Sequence, residues 1–283
     1  MERTAESELQ LKIRALLEVF GEMPGAAVAL SGGVDSTVVA KAAVLALGER
    51  AIAVTADSPS VPRAELEQAK RLANLIGIRH QVVRTNEFDD PNYLRNGGDR
   101  CYFCKSELYS RVVQLLPELG VGVVCSGANL DDRGDYRPGL TAASENGVRH
   151  PLQEAGFTKA DVRAVAKLWG LPVWDKPASP CLSSRLAPGL AVTPERTGRV
   201  EAAEAYLKSL GLRDCRVRYH EGDLARVELP ADEIERFLAA DVRGALSAKL
   251  KELGFKFVTV DLEGFRSGSL NELVSLEVRR RFK

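Results

Sequence analysis

Three cysteines and one glycine turn hold most of the reactive chemistry in this sequence of 283 residues. Cys101 and Cys104 are spaced C-x-x-C, and Cys181 lies far along the chain in Pro177-Ala178-Ser179-Pro180-Cys181-Leu182-Ser183-Ser184-Arg185. Thiolates are strong nucleophiles and soft metal ligands, and a nearby arginine lowers their pKa. Two close thiols and one distant thiol suit the capping of an iron–sulfur cubane with one iron left open for substrate. A structural zinc site asks for a fourth ligand, and His80, His150 and His220 lie at no usual zinc spacing. The bland alternative is an accidental C-x-x-C with Cys181 as a core thiol. Cys125 ends an apolar run and Cys215 begins another, which marks both as packing residues.

The glycine turn is Ser31-Gly32-Gly33-Val34-Asp35-Ser36, entered from the apolar run 26–30 and followed by a helical pattern to Leu47. Gly32 and Gly33 allow positive φ and close approach of backbone amides to an anion. The free amides and positive dipole end of the following helix point into the same space. Ser31, Ser36 and Thr37 can add hydroxyl donors. No lysine follows the glycines, so the turn is not a phosphoryl-transfer loop of the G-x-x-x-x-G-K-[ST] type. Asp35 stands inside it instead, and a carboxylate beside a triphosphate is tolerable if it holds Mg²⁺. The competing reading is a plain Gly-Gly turn with Asp35 or Ser36 as a helix cap.

The elements that must position these residues follow from periodicity. Helical spacing over 6–20, 36–47, 62–75, 104–116 and 158–169 alternates with strand-like runs at 26–30, 52–56, 80–84 and 121–125. That alternation predicts an α/β fold, a parallel sheet with helices on both faces. Prolines crowd 171–194, a functional loop running into a connection. Beyond it the order becomes helix (195–210), strand (215–219), strand (224–229), helix (231–253), strand (255–261), a smaller α+β domain. The expected division is 1–190 and 191–283.

Hydrophobic residues make up 45% and charged residues 28%, as in ordinary globular chains. Thirty-nine basic residues balance thirty-nine acidic ones, so there is no global pull toward nucleic acid or anionic membrane. The acidic first residues do not read as a signal peptide and no apolar run reaches spanning length, so the expected location is cytoplasmic. An odd set of five cysteines does not read as a disulfide scaffold.

S-G-G-x-D-S resembles the signature of the PP-loop ATP pyrophosphatase superfamily, also called adenine nucleotide α-hydrolase-like proteins. The resemblance implies cleavage of ATP between its α and β phosphates, with adenine held at the end of the second strand by Ala56 and Asp57. It narrows over nearly the whole chain. Asp99–Lys105, Asn129–Asp132, Asp135–Gly139, Leu152–Ala155, Pro180–Arg185, Arg216–His220 and Gly264–Gly268 look like the LarE family, ATP-dependent sulfur transferases of nickel-pincer nucleotide biosynthesis. The resemblance implies a nicotinic-acid-derived mononucleotide with two pyridinium carboxylates as substrate. ATP would adenylate a carboxylate, sulfur would attack the acyl-adenylate, and AMP would leave, giving a thiocarboxylate for the lactate racemase cofactor. Some members give up the sulfur of one loop cysteine, and others hold a [4Fe-4S] cluster with three. Cys101, Cys104 and Cys181 favour the cluster version, with the sacrificial route through Cys181 open.

Further residues are expected around that substrate. Arg216 and Arg218 alternate on one strand and suit a phosphate grip, although such a pair can equally be a solvated face. Asn129, Asp131 and Arg137 follow the fourth strand, Ser184 and Arg185 suit a substrate carboxylate, and Arg266 suits nucleotide or a neighbouring subunit. The resemblance implies that Glu204 and Glu228 are metal ligands, although each can equally be a surface charge. Expected partners are a sulfide donor, other enzymes of nickel-pincer assembly and further copies of this chain, with no nucleic acid and no membrane. The rival enzymes are a tRNA thiolase, disfavoured by the neutral charge, and an amide-forming ligase, which needs no cysteine triad. A nucleotide- or metal-binding regulator without turnover is the rival of another class.

Overall fold

The computed structural model describes residues 2–133, 137–266 and 268–281. Asp135, Tyr136 and Ser267 therefore lie outside the described residues. The chain forms two compact units. One takes in residues up to Glu87 together with Cys101–Ser179, and the other takes in Phe88–Arg100 and Pro180–Arg281. A single cut at residue 190 assigns 88–100 and 180–190 to the first unit. The structure assigns both to the second, because Gly189 N donates to Asn96 O and Val192 N to Leu94 O.

The first unit is built on α1 (Glu2–Gly21), β1 (Ala26–Ala29), α2 (Val34–Leu47), β2 (Ala51–Asp57), α3 (Arg63–Ile76) and β3 (Arg79–Arg84). The four-residue α4 (Pro91–Leu94) belongs to the second unit. The first unit then resumes with α5 (Arg100–Leu119), β4 (Val123–Cys125), α6 (Pro138–Glu145), α7 (Pro151–Glu154) and α8 (Lys159–Leu168). Strands β3-β2-β1-β4 form one sheet with every pairing parallel. Alternate strand residues face opposite sides, so Val28 packs with Leu16, Phe20, Val38, Ala69 and Val162 while Ala27 packs with Leu108, Tyr109 and Val112. Helices thus cover both faces, as expected. Helix α2 is buried along most of its length, consistent with the apolar run that follows Thr37 and is broken only by Lys41. Thr158 caps α8 in a reciprocal box with Asp161.

Helix α5 starts at Arg100, four residues ahead of the expected 104, so Cys101 and Cys104 lie in its first turn. Gly98, at φ +93°, closes the preceding loop, and no strong helix breaker stands between it and Pro117. Short helices at 138–145 and 151–154 were not evident in the periodicity.

The second unit contains α9 (Pro194–Ser209), β5 (Arg216–His220), β6 (Leu224–Glu228), α10 (Ile234–Leu238), α11 (Ala240–Glu252), β7 (Phe257–Val260) and α12 (Leu276–Arg281). Strand β5 pairs antiparallel with β6, and β6 parallel with β7. The single helix expected over 231–253 is broken at Ala239, which takes an extended conformation, and Asp241 then sits favourably in the first turn of α11. No helix among the described residues is long and apolar enough to cross a membrane.

Charge is buried in this unit. Glu228, with no exposed surface, accepts from Arg218, Arg226 and the hydroxyl of Ser269. Removing one partner of a buried ion pair leaves the other charge in a poor solvent. Arg218→Ala should therefore lower stability by about 3 kcal/mol, read as a shift in the urea midpoint followed by circular dichroism. Arg63→Ala, at an exposed pair with Asp57, should cost under about 1 kcal/mol.

Candidate active site

Parallel strands put all their carboxyl ends on one edge, and the expected nucleotide residues collect there. The loop after β1 turns at Gly32 with φ +76°, and Gly33 is the residue before α2. Ser31 Oγ and Ser36 Oγ lie 3.1 Å apart, and Ser36 Oγ donates to Gly33 O. Thr37 is wholly buried and its hydroxyl donates to the same carbonyl at 2.8 Å. Ser36 and Thr37 therefore shape the loop from within. Ser31 is exposed at its mouth. Ala56 and Asp57 end β2, half-buried, with Asp57 paired to Arg63.

After β4 the chain passes Gly127, whose added Cβ would stand 2.7 Å from Ser36 N and 3.0 Å from the Asp35 carbonyl carbon. The two loops are pressed together there. Asn129 Nδ2 donates to Asp35 Oδ1 at 3.0 Å, and Lys159 Nζ forms an ion pair with Asp35 Oδ2. Asp131 Oδ2 accepts from Lys159 N, and Gln153 Nε2 donates to Asn129 O. Asn129 and Asp131 thus join Asp35, while Arg137 is exposed and pairs with Asp132. Lys176 Nζ reaches Gly32 O, Glu65 and Gln68.

Lys159, Lys176 and Gly127 were not anticipated. A signal existed for the first, since it follows the Thr158 cap on a helix expected at 158–169, and a capped helix start facing a strand edge meets whatever binds there. Lys176 lies inside the proline-rich stretch. Nothing in the sequence marks Gly127 beyond its place after an apolar run.

Cys101 is exposed and Cys104 half-buried, three residues apart and so on one face of α5. Cys181, also half-buried, precedes the 3-10 turn Leu182–Arg185 in the second unit. Among the described residues no group of three or more His, Cys, Asp or Glu side chains is gathered to hold a metal. Cys125 and Cys215 are buried, and burial pushes both thiols up to about 12. His80 bonds Thr55 and His150 bonds Ser126, and burial lowers the pKa of each imidazole.

In the second unit Arg216 and Arg218 are buried rather than forming a solvated face. Arg216 lies 4.8 Å over the ring of Phe265 and donates to Cys215 O. Its pKa is lowered by burial and then by Arg185. Glu204 and Glu228, expected as metal ligands, carry arginine partners instead: Arg185 on Glu204, and Arg218 and Arg226 on Glu228. Ser184 Oγ donates to Cys181 O, and Arg185 is buried. Arg266 is exposed and pairs with Glu263.

Two outcomes follow. Gly127→Ala should weaken ATP binding at least about tenfold in titration calorimetry, with an unchanged circular dichroism spectrum, because the added carbon must move Ser36 N. Iodoacetamide at pH 8 should alkylate Cys101 and leave Cys125 and Cys215 unmodified by peptide mass mapping. A thiol with pKa near 12 is about 10⁻⁴ thiolate at that pH, and its ionised fraction rises only as pH approaches 12.

Residues 7–92 match the family model for NAD synthase. The chain is 49% identical to an uncharacterized protein of Synechocystis, covering 94% of this chain and 99% of that one. It is 40% identical to the pyridinium-3,5-bisthiocarboxylic acid mononucleotide synthase of Lactiplantibacillus plantarum, covering 94% of this chain and 96% of that enzyme. A tRNA-specific 2-thiouridylase of Desulforamulus reducens is 26% identical over 54% of this chain and 52% of its own. A shared phosphate loop accounts for a partial likeness, but end-to-end identity at 40% does not arise from a loop alone, and this chain belongs to the LarE family of pyridinium-3,5-bisthiocarboxylic acid mononucleotide synthases.

Proposed function

We propose that this chain is an ATP-dependent sulfur transferase that converts carboxylates of a pyridinium-3,5-dicarboxylate mononucleotide to thiocarboxylates. The similarity over 94% of the chain to an enzyme named for that product carries the reading. A carboxylate oxygen of the substrate attacks the α-phosphorus of ATP, and the bond to pyrophosphate breaks. The amides that open α2, just after the turn at Gly32, suit the phosphates. Lys159 and Lys176 bring positive charge to the same loop. A sulfur nucleophile then attacks the acyl carbon and AMP departs, a far better leaving group than oxide.

Cys181 delivers or holds that sulfur. In the sacrificial version its Sγ attacks, its Cα proton is lost and the Cβ–Sγ bond breaks, leaving dehydroalanine in the chain and the electron pair on sulfur. We favour the version in which Cys101, Cys104 and Cys181 hold a [4Fe-4S] cluster. Three thiols, two of them on one helical face, have the donor chemistry such a cluster takes. When bound, the cluster supplies a sulfide, renewed by an external donor, so that the chain keeps its cysteines.

Mg²⁺ fits less well. Both oxygens of Asp35 already have partners in Asn129 and Lys159, so the ion would have to displace the lysine. Arg216 and Arg218 are the groups we assign to the substrate phosphate. Burial and then the neighbouring Arg185 lower the pKa of Arg216, and a bound anion would offset both effects. Arg266 is assigned to nucleotide or a second copy of the chain, in a cytoplasmic homo-oligomer.

Protein purified without oxygen should be brown, contain iron and sulfide, and release pyrophosphate and AMP when given ATP and the dicarboxylate mononucleotide. Its intact mass should be unchanged after turnover. A colourless protein whose mass falls by one H₂S would replace the cluster version with the sacrificial one. Absence of pyrophosphate release under either condition would overturn the enzymatic reading.

A further inference from the structure

The geometry points to Arg185 and Glu204 as positioning residues that fix the backbone on either side of Cys181, in place of a direct contact between Arg185 and substrate. This rests on the reading of Cys181 as the residue that delivers or holds sulfur. Every group involved lies in the second unit.

Arg185 is 1% exposed, among the largest fully buried side chains in the protein. Its guanidinium has two working ends. Nε donates to Glu204 Oε1 at 2.9 Å and Nη2 to Oε2 at 3.2 Å, a two-point clasp. Nη1 faces the other way, to the carbonyls of Pro180 and Cys181 (3.0 Å) and to Ser184 Oγ (3.1 Å). Three acceptors share the two hydrogens of Nη1, and Nε and one hydrogen of Nη2 serve Glu204, so no pair of donors is left for a two-point grip on a substrate carboxylate. Such a carboxylate would also have to compete with Glu204, which is already in place and equally buried.

Glu204 is itself tied down. It stands on α9, and its Oε1 accepts from Val217 N on β5 at 3.2 Å. The chain of contacts therefore runs from helix and sheet, through one carboxylate and one guanidinium, to the peptide groups flanking Cys181. Other bonds hold the same turn. Ser184 donates to Cys181 O from both its amide (3.0 Å) and its hydroxyl (2.6 Å). Arg100 donates to Ser183 O at 2.6 Å, Arg218 donates to Ser184 O at 3.3 Å, and Tyr93 OH meets Ser183 Oγ at 2.7 Å. Three buried arginines thus bind the carbonyls of Pro180, Cys181, Ser183 and Ser184, in a loop whose regular structure is the short turn Leu182–Arg185. A sulfur donor must sit within a fraction of an ångström of the acyl carbon, and misplacement by about 1 Å costs about 100-fold in rate.

The test separates the two half-reactions in the full-length protein. Arg185→Ala should keep substrate-dependent exchange of pyrophosphate into ATP within about threefold of wild type, with a KM for the mononucleotide within the same range. Thiocarboxylate formation should fall about 100-fold, and added guanidinium ion should restore part of it. Ser184→Ala, at a half-buried site where folding is not at risk, should show the same split in milder form, about tenfold. A rise of tenfold or more in KM for the mononucleotide with loss of exchange would make Arg185 a substrate ligand and overturn the proposal. So would thiocarboxylate formation at the wild-type rate in Arg185→Ala. Should wild type itself form no thiocarboxylate, the enzymatic reading fails, and the rate of Cys181 alkylation still decides this one. It should change at least fivefold in Arg185→Ala and Ser184→Ala with Cys101 unaffected, and equal rates would overturn it.

Discussion

A parallel pair of strands cannot be joined by a tight turn, so each strand of the four-stranded sheet must return through a crossover before the next can begin. That constraint sends the ends of β1, β2 and β4 to a single edge. The phosphate loop, the Ala56–Asp57 segment and Asn129 are neighbours there for no reason local to their own sequences. The close approach of Gly127 to the Ser36 amide is the tightest expression of it, because two crossovers must share the space in front of two adjacent strands. Asp35, Asn129, Asp131 and Lys159 then knit those loops into one polar patch.

The second unit solves a different problem, how to hold an irregular, cysteine-bearing loop still. It does so with buried charge as well as with the packed side chains of Leu182 and Leu186. Arg185, Arg216 and Arg218 are all buried, faced by Glu204 and Glu228. Such networks are poor sources of net stability, since desolvation offsets most of the Coulomb gain. They are good sources of geometry, because a guanidinium fork accepts few arrangements of its acceptors.

Much of the first unit could be read from residue order. Apolar runs of strand length alternating with helical spacing left little choice but a covered parallel sheet, and Gly32-Gly33 ahead of a helix identified its ligand edge. The errors have physical causes. The first turn of α5 was missed because Cys-Tyr-Phe-Cys has no strong helix propensity, and helix 231–253 was read as continuous because Ala239 carries no breaker. Glu204 and Glu228 looked like metal ligands because a lone glutamate in a sequence does not reveal which arginine it faces. Arg185 is 19 residues from Glu204 and Arg218 is 10 from Glu228, beyond any local pattern; Arg226, two residues from Glu228 on the same strand, is the one partner that alternation could have suggested. Ser184 and Arg185 are expected at a substrate carboxylate, and no sequence pattern shows that the donors of Arg185 turn inward to Glu204 and to the backbone around Cys181.

Lys176 has a mechanical meaning as well as an electrostatic one. Its ammonium holds the carbonyl of Gly32, and the same residue is covalently continuous with Pro177, Pro180 and Cys181. Because the same ammonium also meets Glu65 and Gln68 of α3, it rivets the turn ahead of α2 to a neighbouring helix, so the turn and α3 shift as one piece.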